Sequence, residues 1–227
     1  YEAKKYVAEN IGQEYIIPTL GIWDSVDDIN FDALPNQFVL KTTHGGGNTG
    51  VIICRDKSTL DIPKAKAKLK KSLGKCIYRQ FREWPYKNVK RRIIAETLIG
   101  DGLMNDYKFF CFDGDVKLCQ VISGRESTMS IDFFDKEWRH QPFHEPKEYP
   151  FSVHEITRPK LYDKMWDIAR SLCIEHCFIR VDLYKANDHI YFGELTFFPT
   201  SGMGGFDPKE WDYTLGQWIK LPMNKHE

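Results

Sequence analysis

No apolar run in this chain approaches the ~20 residues that a bilayer-spanning helix needs, and its start has no signal-peptide pattern. Net charge is also absent: 32 basic residues stand against 32 acidic ones. The overall field therefore gives no support to a nucleic-acid or membrane-surface partner. Internal repeats and low-complexity tracts are missing. Of the six cysteines only Cys173 and Cys177 are closely spaced, and no second close pair completes a zinc framework. The expectation is free, mostly buried thiols, with Cys173 and Cys177 as ordinary core residues. That usage fits a reducing, cytoplasmic compartment. The chain begins at Tyr1 without a methionine, so a fragment or a trimmed protein is expected.

What is present suits a globular chain. The 227 residues, 42% hydrophobic and 28% charged, can bury one core or two small ones. Residues 1–10 have helical periodicity with Tyr6 and Val7 facing inward. Phe38–Lys41 and Val51–Cys54 read as strands joined by a glycine loop. Asp61 and Pro63 start a basic amphipathic helix that runs to Leu73. Strands follow over Ile93–Ile99, Asp106–Phe112, Val116–Ile122 and Met129–Phe134, the middle two forming a hairpin across Asp113-Gly114. A helix over Pro159–Cys173 turns Leu161, Met165, Ile168, Ala169 and Leu172 inward. A last hairpin turns at Asn187-Asp188, and a glycine loop over Thr200–Phe206 leads to a helix with Trp211, Leu215 and Trp218.

Three constellations carry chemistry. Lys41 ends an apolar strand and is followed at once by His44, Gly45, Gly46, Gly47 and Asn48. Its ammonium can reach nucleotide phosphates, and backbone without β-carbons can approach them closely. No Gly-Lys-Ser/Thr follows, so this is not a Walker A loop, and no helix follows as a dinucleotide fingerprint requires. Asp182 and Glu194 alternate with apolar residues on what read as adjacent strands, with Arg180 before the first and Thr196 on the face of Glu194. Buried carboxylates are costly alone. Mg²⁺ bridging to phosphates offsets that cost; ion pairs with Arg180 and Lys108 are the purely structural alternative. Glu96 can approach an adenine amino group while the backbone at Thr97 and Leu98 reads the base edge. Lys108 adds a further positive group, and His44 is a reactive-site candidate. The basic, aromatic stretch Arg82–Arg92 suits a local anionic substrate better than nucleic acid.

The order of these segments resembles the ATP-grasp superfamily and, within it, the TupA-like polysaccharide group. The resemblance rests on Leu34–Asn48, Tyr86–Glu96, Asn105–Gly114 and Tyr191–Gly202, with the ending Leu215–Pro222. It implies an α+β ATP-grasp fold, two lobes whose antiparallel sheets clasp the nucleotide. Residues 1–33 would be an N-terminal helix and linker, 34–98 the lobe with the glycine loop, and 99–227 the lobe with the metal-binding carboxylates. By analogy Lys41 contacts the α- and β-phosphates, and the loop from His44 to Gly50 folds over them. Glu96 and its neighbours bind adenine, Asp182 and Glu194 hold Mg²⁺, and Arg180 steadies the transferring phosphoryl group. Many ATP-grasp ligases carry Glu-x-Asn where this chain has Glu194-Leu-Thr196, which puts the number of metal ions in question.

The reaction so implied is ATP-dependent amide formation between a uronic-acid-type sugar and an amino acid or related amine, with ATP and Mg²⁺ as cofactors. The sugar is free, nucleotide-linked or lipid-linked, and a lipid-linked one would draw the chain to the inner face of the membrane. Arg125 and the Arg82–Arg92 stretch are candidates to attract it; His44 and Glu126 are candidate bases. A sugar or polyol kinase on the same fold and a non-catalytic ATP-binding module of a polysaccharide assembly system are the alternatives. A homo-oligomer, an assembly partner, or a substrate site completed by another subunit is expected.

Overall fold

Alternating burial builds both sheets. The computed structural model describes residues 1–45, 49–100, 104–124, 128–145 and 149–221, so Gly46, Gly47, Asn48, Arg125 and Glu126 lie outside the described residues. Two compact units appear. The first holds Ile17–Ile99 with Tyr1, and the second holds Glu2–Ile16 with Gly100 onward.

In the first unit, β1 (Thr19–Trp23), β2 (Phe38–Thr42), β3 (Ile52–Cys54) and β4 (Ile93–Thr97) form an antiparallel sheet in the order β1-β4-β2-β3. Phe38, Leu40, Ile93 and Ala95 face a core that α2 (Ile62–Leu73) closes with Leu69. Helix α2 starts where expected: the Asp61 carboxylate accepts from the Lys64 N–H at 2.9 Å, with a proline in the first turn. A short helix, α3 (Ile77–Phe81), follows.

The second unit is built on five antiparallel strands in the order β7-β6-β5-β8-β9. They are β5 (Asp106–Phe112), β6 (Asp115–Ser123), β7 (Ser130–Phe134), β8 (Phe178–Ala186) and β9 (His189–Thr196). Both expected hairpins are present. Their turns carry left-handed Asp113 with Gly114, and Asn187 with Asp188, the backbone that tight hairpins require. Helices α1 (Glu2–Ile11) and α4 (Tyr162–Cys173) cover one face, burying Val7, Met165 and Leu172 against Phe109, Val181 and Leu183. The other face is split. One end carries charged groups, and the other carries an aromatic cluster of Phe110, Phe112, Phe133 and Phe143 capped by Leu215 of α5 (Glu210–Gln217).

Two expectations need correction. Tyr6 is 42% exposed while Val7 is fully buried, because the inward stripe of α1 runs through Val7, Ala8 and Ile11. Cys177 is exposed, unlike buried Cys173, since it lies past the end of α4 and before β8. All six thiols are free.

Candidate functional site

In the first unit Lys41 and Glu96 meet. β2 pairs with β4 so that Lys41 faces Ile94 and Val39 faces Glu96. Both charged side chains then stand on the sheet face opposite the core, and Lys41 Nζ lies 2.6 Å from Glu96 Oε2. The Glu96 side chain is 4% exposed and that of Lys41 34%. A carboxylate this buried needs its partner, so Glu96 orients the lysine as well as lining the site. The sequence brings out each residue but not their contact. Removing Lys41 takes away the cation paired with the buried Glu96 carboxylate. Lys41→Met and Glu96→Gln are therefore expected to couple by about 0.5–3 kcal/mol in a double-mutant unfolding cycle. Additive effects would remove the pair from the account.

The base of the glycine loop is pinched onto α2. Thr42 Oγ1 and Ser72 Oγ are 2.9 Å apart. Gly50 has φ +75°, and a β-carbon there would fall 2.2 Å from Ser72 Oγ. Both the handedness and the space demand glycine. His44 lies inside this pinch at 3% exposure, and neither ring nitrogen has a hydrogen-bond partner at bonding distance. Burial lowers its pKa below the ordinary 6.5 and the Arg91 charge adds to this, opposed in part by the nearby backbone of Lys75 and Ser72. A neutral, enclosed ring suits positioning of the loop more than proton transfer. Unfolding exposes the ring and restores its ordinary pKa. His44 therefore contributes stability that is complete above pH 6.5 and lost as pH falls toward its lower folded pKa. His44→Phe is expected to flatten the unfolding free energy between pH 7 and 5. An unchanged slope would contradict the assignment.

Thr97 donates its N–H to the Pro18 carbonyl at 3.0 Å, so that donor is committed to the fold; Leu98 follows the end of the strand and is half-buried. The basic stretch is also engaged within its own unit. Lys90 reaches Asp24 at 2.7 Å, Arg91 the Leu73 carbonyl at 3.2 Å, and Lys87 covers Trp84 at 4.1 Å.

In the second unit the strand registers converge five predicted residues. Lys108 lies opposite Asp182, and Asp182 opposite Glu194, across β5, β8 and β9. Arg180 pairs with Thr196 one step along. A bulge falls between Asp182 and Leu183, opposite Gly193, where a β-carbon would meet the Asp182 carbonyl oxygen at 3.0 Å and the Tyr184 ring at 2.8 Å. Glycine thus permits the bulge that aims Glu194. Arg180 donates through Nε and Nη2 to both Asp182 oxygens at 2.7 and 2.9 Å. Nη2 also reaches Glu194 Oε1 and Thr196 Oγ1, each at 3.1 Å. Lys108 completes the cluster with an ion pair to Asp182 Oδ2. Two cations balance two carboxylates.

Burial would raise the pKa of Asp182, but the Lys108 and Arg180 charges and hydrogen bonds outweigh it and the net shift is downward. For Arg180 burial opposes the charged form, and Asp182 and Glu194 outweigh it. Asp182 is thus committed to two cations, the structural alternative weighed from sequence, whereas the Glu194 side chain is 52% exposed. Thr196 donates to Glu194 Oε1 at 2.9 Å and accepts from Arg180, so its oxygen serves first as a bracket between them. Asp182, Glu194 and Thr196 present hard oxygen donors, the type that suits Mg²⁺. Among the described residues no group of three or more His, Cys, Asp or Glu is placed to hold a metal. An ion bound here would draw its remaining ligands from water and substrate oxygens, as Mg²⁺ commonly does.

The family model of the TupA-like ATP-grasp proteins matches residues 1–220. Among solved structures, D-alanyl-alanine synthetase A from Vibrio cholerae matches with a TM-score of 0.50 at 11% identity, over 86% of this chain and 53% of that one. D-alanine–D-alanine ligase from Bacillus anthracis, complexed with ATP, gives 0.48 at 17% identity over 86% and 52%. N5-carboxyaminoimidazole synthetase from Staphylococcus aureus, complexed with ADP, gives 0.48 at 12% over 85% and 42%. The chain spans roughly half the length of these structures. No curated protein matches it. Two antiparallel sheets, a lysine strand running into a glycine loop, and a family match over nearly the whole length lead to one assignment: the chain belongs to the TupA-like ATP-grasp family.

Proposed function

We propose that the chain is an ATP-dependent carboxylate–amine ligase, joining a uronic-acid-type sugar of a surface polysaccharide or its precursor to an amino acid or related amine. The observation that carries the reading is the Arg180 guanidinium, held on Asp182, Glu194 and Thr196 in a chain of the ATP-grasp family. Arg180 is fixed before any substrate arrives, which suits a group that must meet charge developing on a transferring phosphoryl.

ATP is the first substrate. A sugar carboxylate oxygen bonds to the γ-phosphorus as the bond to the ADP oxygen breaks, giving an acyl phosphate. The amine nitrogen then bonds to the acyl carbon, and the carbon–oxygen bond to phosphate breaks. An ammonium substrate gives one proton to the departing phosphate and one to solvent. Lys41, oriented by Glu96, contacts the α- and β-phosphates, and the backbone near Leu98 reads the adenine edge. Lys108 and Arg180 offset charge on the transferring group. Glu194, with Asp182 and Thr196 behind it, would hold Mg²⁺, which supplies Lewis-acid polarisation of phosphate oxygens. A lipid-linked sugar would bring the chain to the inner face of a membrane. No helix among the described residues is long and apolar enough to cross one.

The test is ADP and phosphate release with Mg-ATP across uronic-acid sugars and amines, with product mass read in parallel. Release that needs both partners, with a mass gain of the amine less water, supports the ligase. Release with sugar alone and a gain of one phosphoryl group would make it a kinase. Bound ATP without turnover would leave a binding module.

A further inference from the structure

The second unit carries a cavity of about 1040 Å³, lined in part by strand neighbours of Arg180. Phe178 precedes Arg180 by two residues on β8, and Phe110 pairs with Arg180 across β5. Phe178, Phe110 and Phe112 line the cavity as a ring cluster, with Phe178 5.1 Å from Phe112 and 6.2 Å from Phe110. Strand alternation puts these rings on the face that carries Arg180. Met203 and Leu221, 87% and 73% exposed, stand on the rim. A concave, aromatic site with an exposed apolar rim is built to take an apolar body.

Glu145, Glu175 and Asp212 line the cavity. Among the described residues these carboxylates meet no lysine or arginine on its wall, and His176 is the one other titratable nitrogen group there. One Asp212 oxygen accepts the Phe206 N–H at 2.9 Å, which leaves Glu145 and Glu175 as the carboxylates outside that turn. The Glu145 charge also favours the charged form of Arg180. A uronic acid here would bring a carboxylate against carboxylates. A cation with an aromatic or aliphatic body meets both the charge and the rings.

We propose that this cavity is the amine pocket, and that it selects a cationic amine with an apolar body and no carboxylate of its own. The proposal rests on the ligase reading for the fate of the amine; the selectivity itself is a binding property. It excludes an acidic amino acid such as glutamate as the preferred amine. The free acid of an amino acid should serve less well than its amide.

The test is calorimetric binding to the whole chain without nucleotide, using phenethylamine, its near-isosteric anion 3-phenylpropionate, and L-glutamate. Phenethylamine is expected to bind at least about tenfold more tightly than either anion. Glu145→Gln with Glu175→Gln, at a half-buried and an exposed position, should shrink that gap several-fold without changing the unfolding midpoint. Phe198→Ala, a substitution of an exposed cavity-lining ring, should weaken phenethylamine and 3-phenylpropionate together. Equal binding of cation and anion, or a preference for glutamate, would overturn the proposal. The two readings fail separately. Amine-dependent ADP release that favours glutamate would sink the pocket and keep the ligase. Tight phenethylamine binding with no amine-dependent release would keep the pocket and sink the ligase.

Discussion

Arg180→Lys is expected to slow amine-dependent ADP release by about 10²–10³-fold, the loss typical of removing one preorganised donor from a developing charge. Lysine keeps the charge but not the fork. The bidentate grip on Asp182 and the reach to Glu194 and Thr196 depend on a planar guanidinium. Single-turnover rates at saturating ATP, with KM for ATP measured beside them, check this. A fall in kcat with little change in KM marks a group used at the transition state. Turnover within a few-fold of wild type would remove Arg180 from the reaction.

Asp182→Asn is expected to cost stability as well as activity, by about 3–5 kcal/mol, as when one partner of a buried charged cluster is removed. Asp182 is 2% exposed, and its loss leaves Lys108 and Arg180, each with side chains 12% exposed, without their shared counter-charge. The pH dependence has a definite sign. The folded pKa lies below the ordinary 3.8. The stabilisation is therefore complete above pH 3.8 and is lost as pH falls through the folded value. Chemical denaturation of wild type should show that decline below about pH 4, and Asp182→Asn should lack this component. Glu194→Gln is the control. Its side chain is half exposed, so it should unfold near the wild-type midpoint while losing turnover. Equal destabilisation by both substitutions would mean that the cluster is structural throughout.

Much of this was legible in the sequence, for reasons of period and turn chemistry. Period-two alternation marked β5, β8 and β9, and Asn187-Asp188 and Asp113-Gly114 marked their hairpins. Once β8 and β9 are a hairpin, Asp182 and Glu194 must be near each other, and their direct pairing follows from register. The Lys41–Glu96 contact was hidden because β4 inserts between β1 and β2, a neighbour relation that no local signal encodes. Tyr6 misled because one aromatic residue cannot set the phase of a short helix; the spacing of Val7 and Ile11 does. The enclosure of His44 depends on α2 packing under the loop, which a glycine-rich segment does not announce. The acidic, aromatic cavity was missed for a similar reason. Its walls come from separate parts of the second unit, and no local pattern announces that these segments meet.

Activation through an acyl phosphate is tested by following oxygen-18 from the carboxylate of the sugar into products, using the acid and amine that support turnover. An acyl phosphate requires the carbon–oxygen bond of the activated carboxylate to break. Inorganic phosphate is therefore expected to carry one labelled oxygen per amide formed. Phosphate free of label, with the displaced oxygen found in AMP or in water instead, would contradict the acyl phosphate.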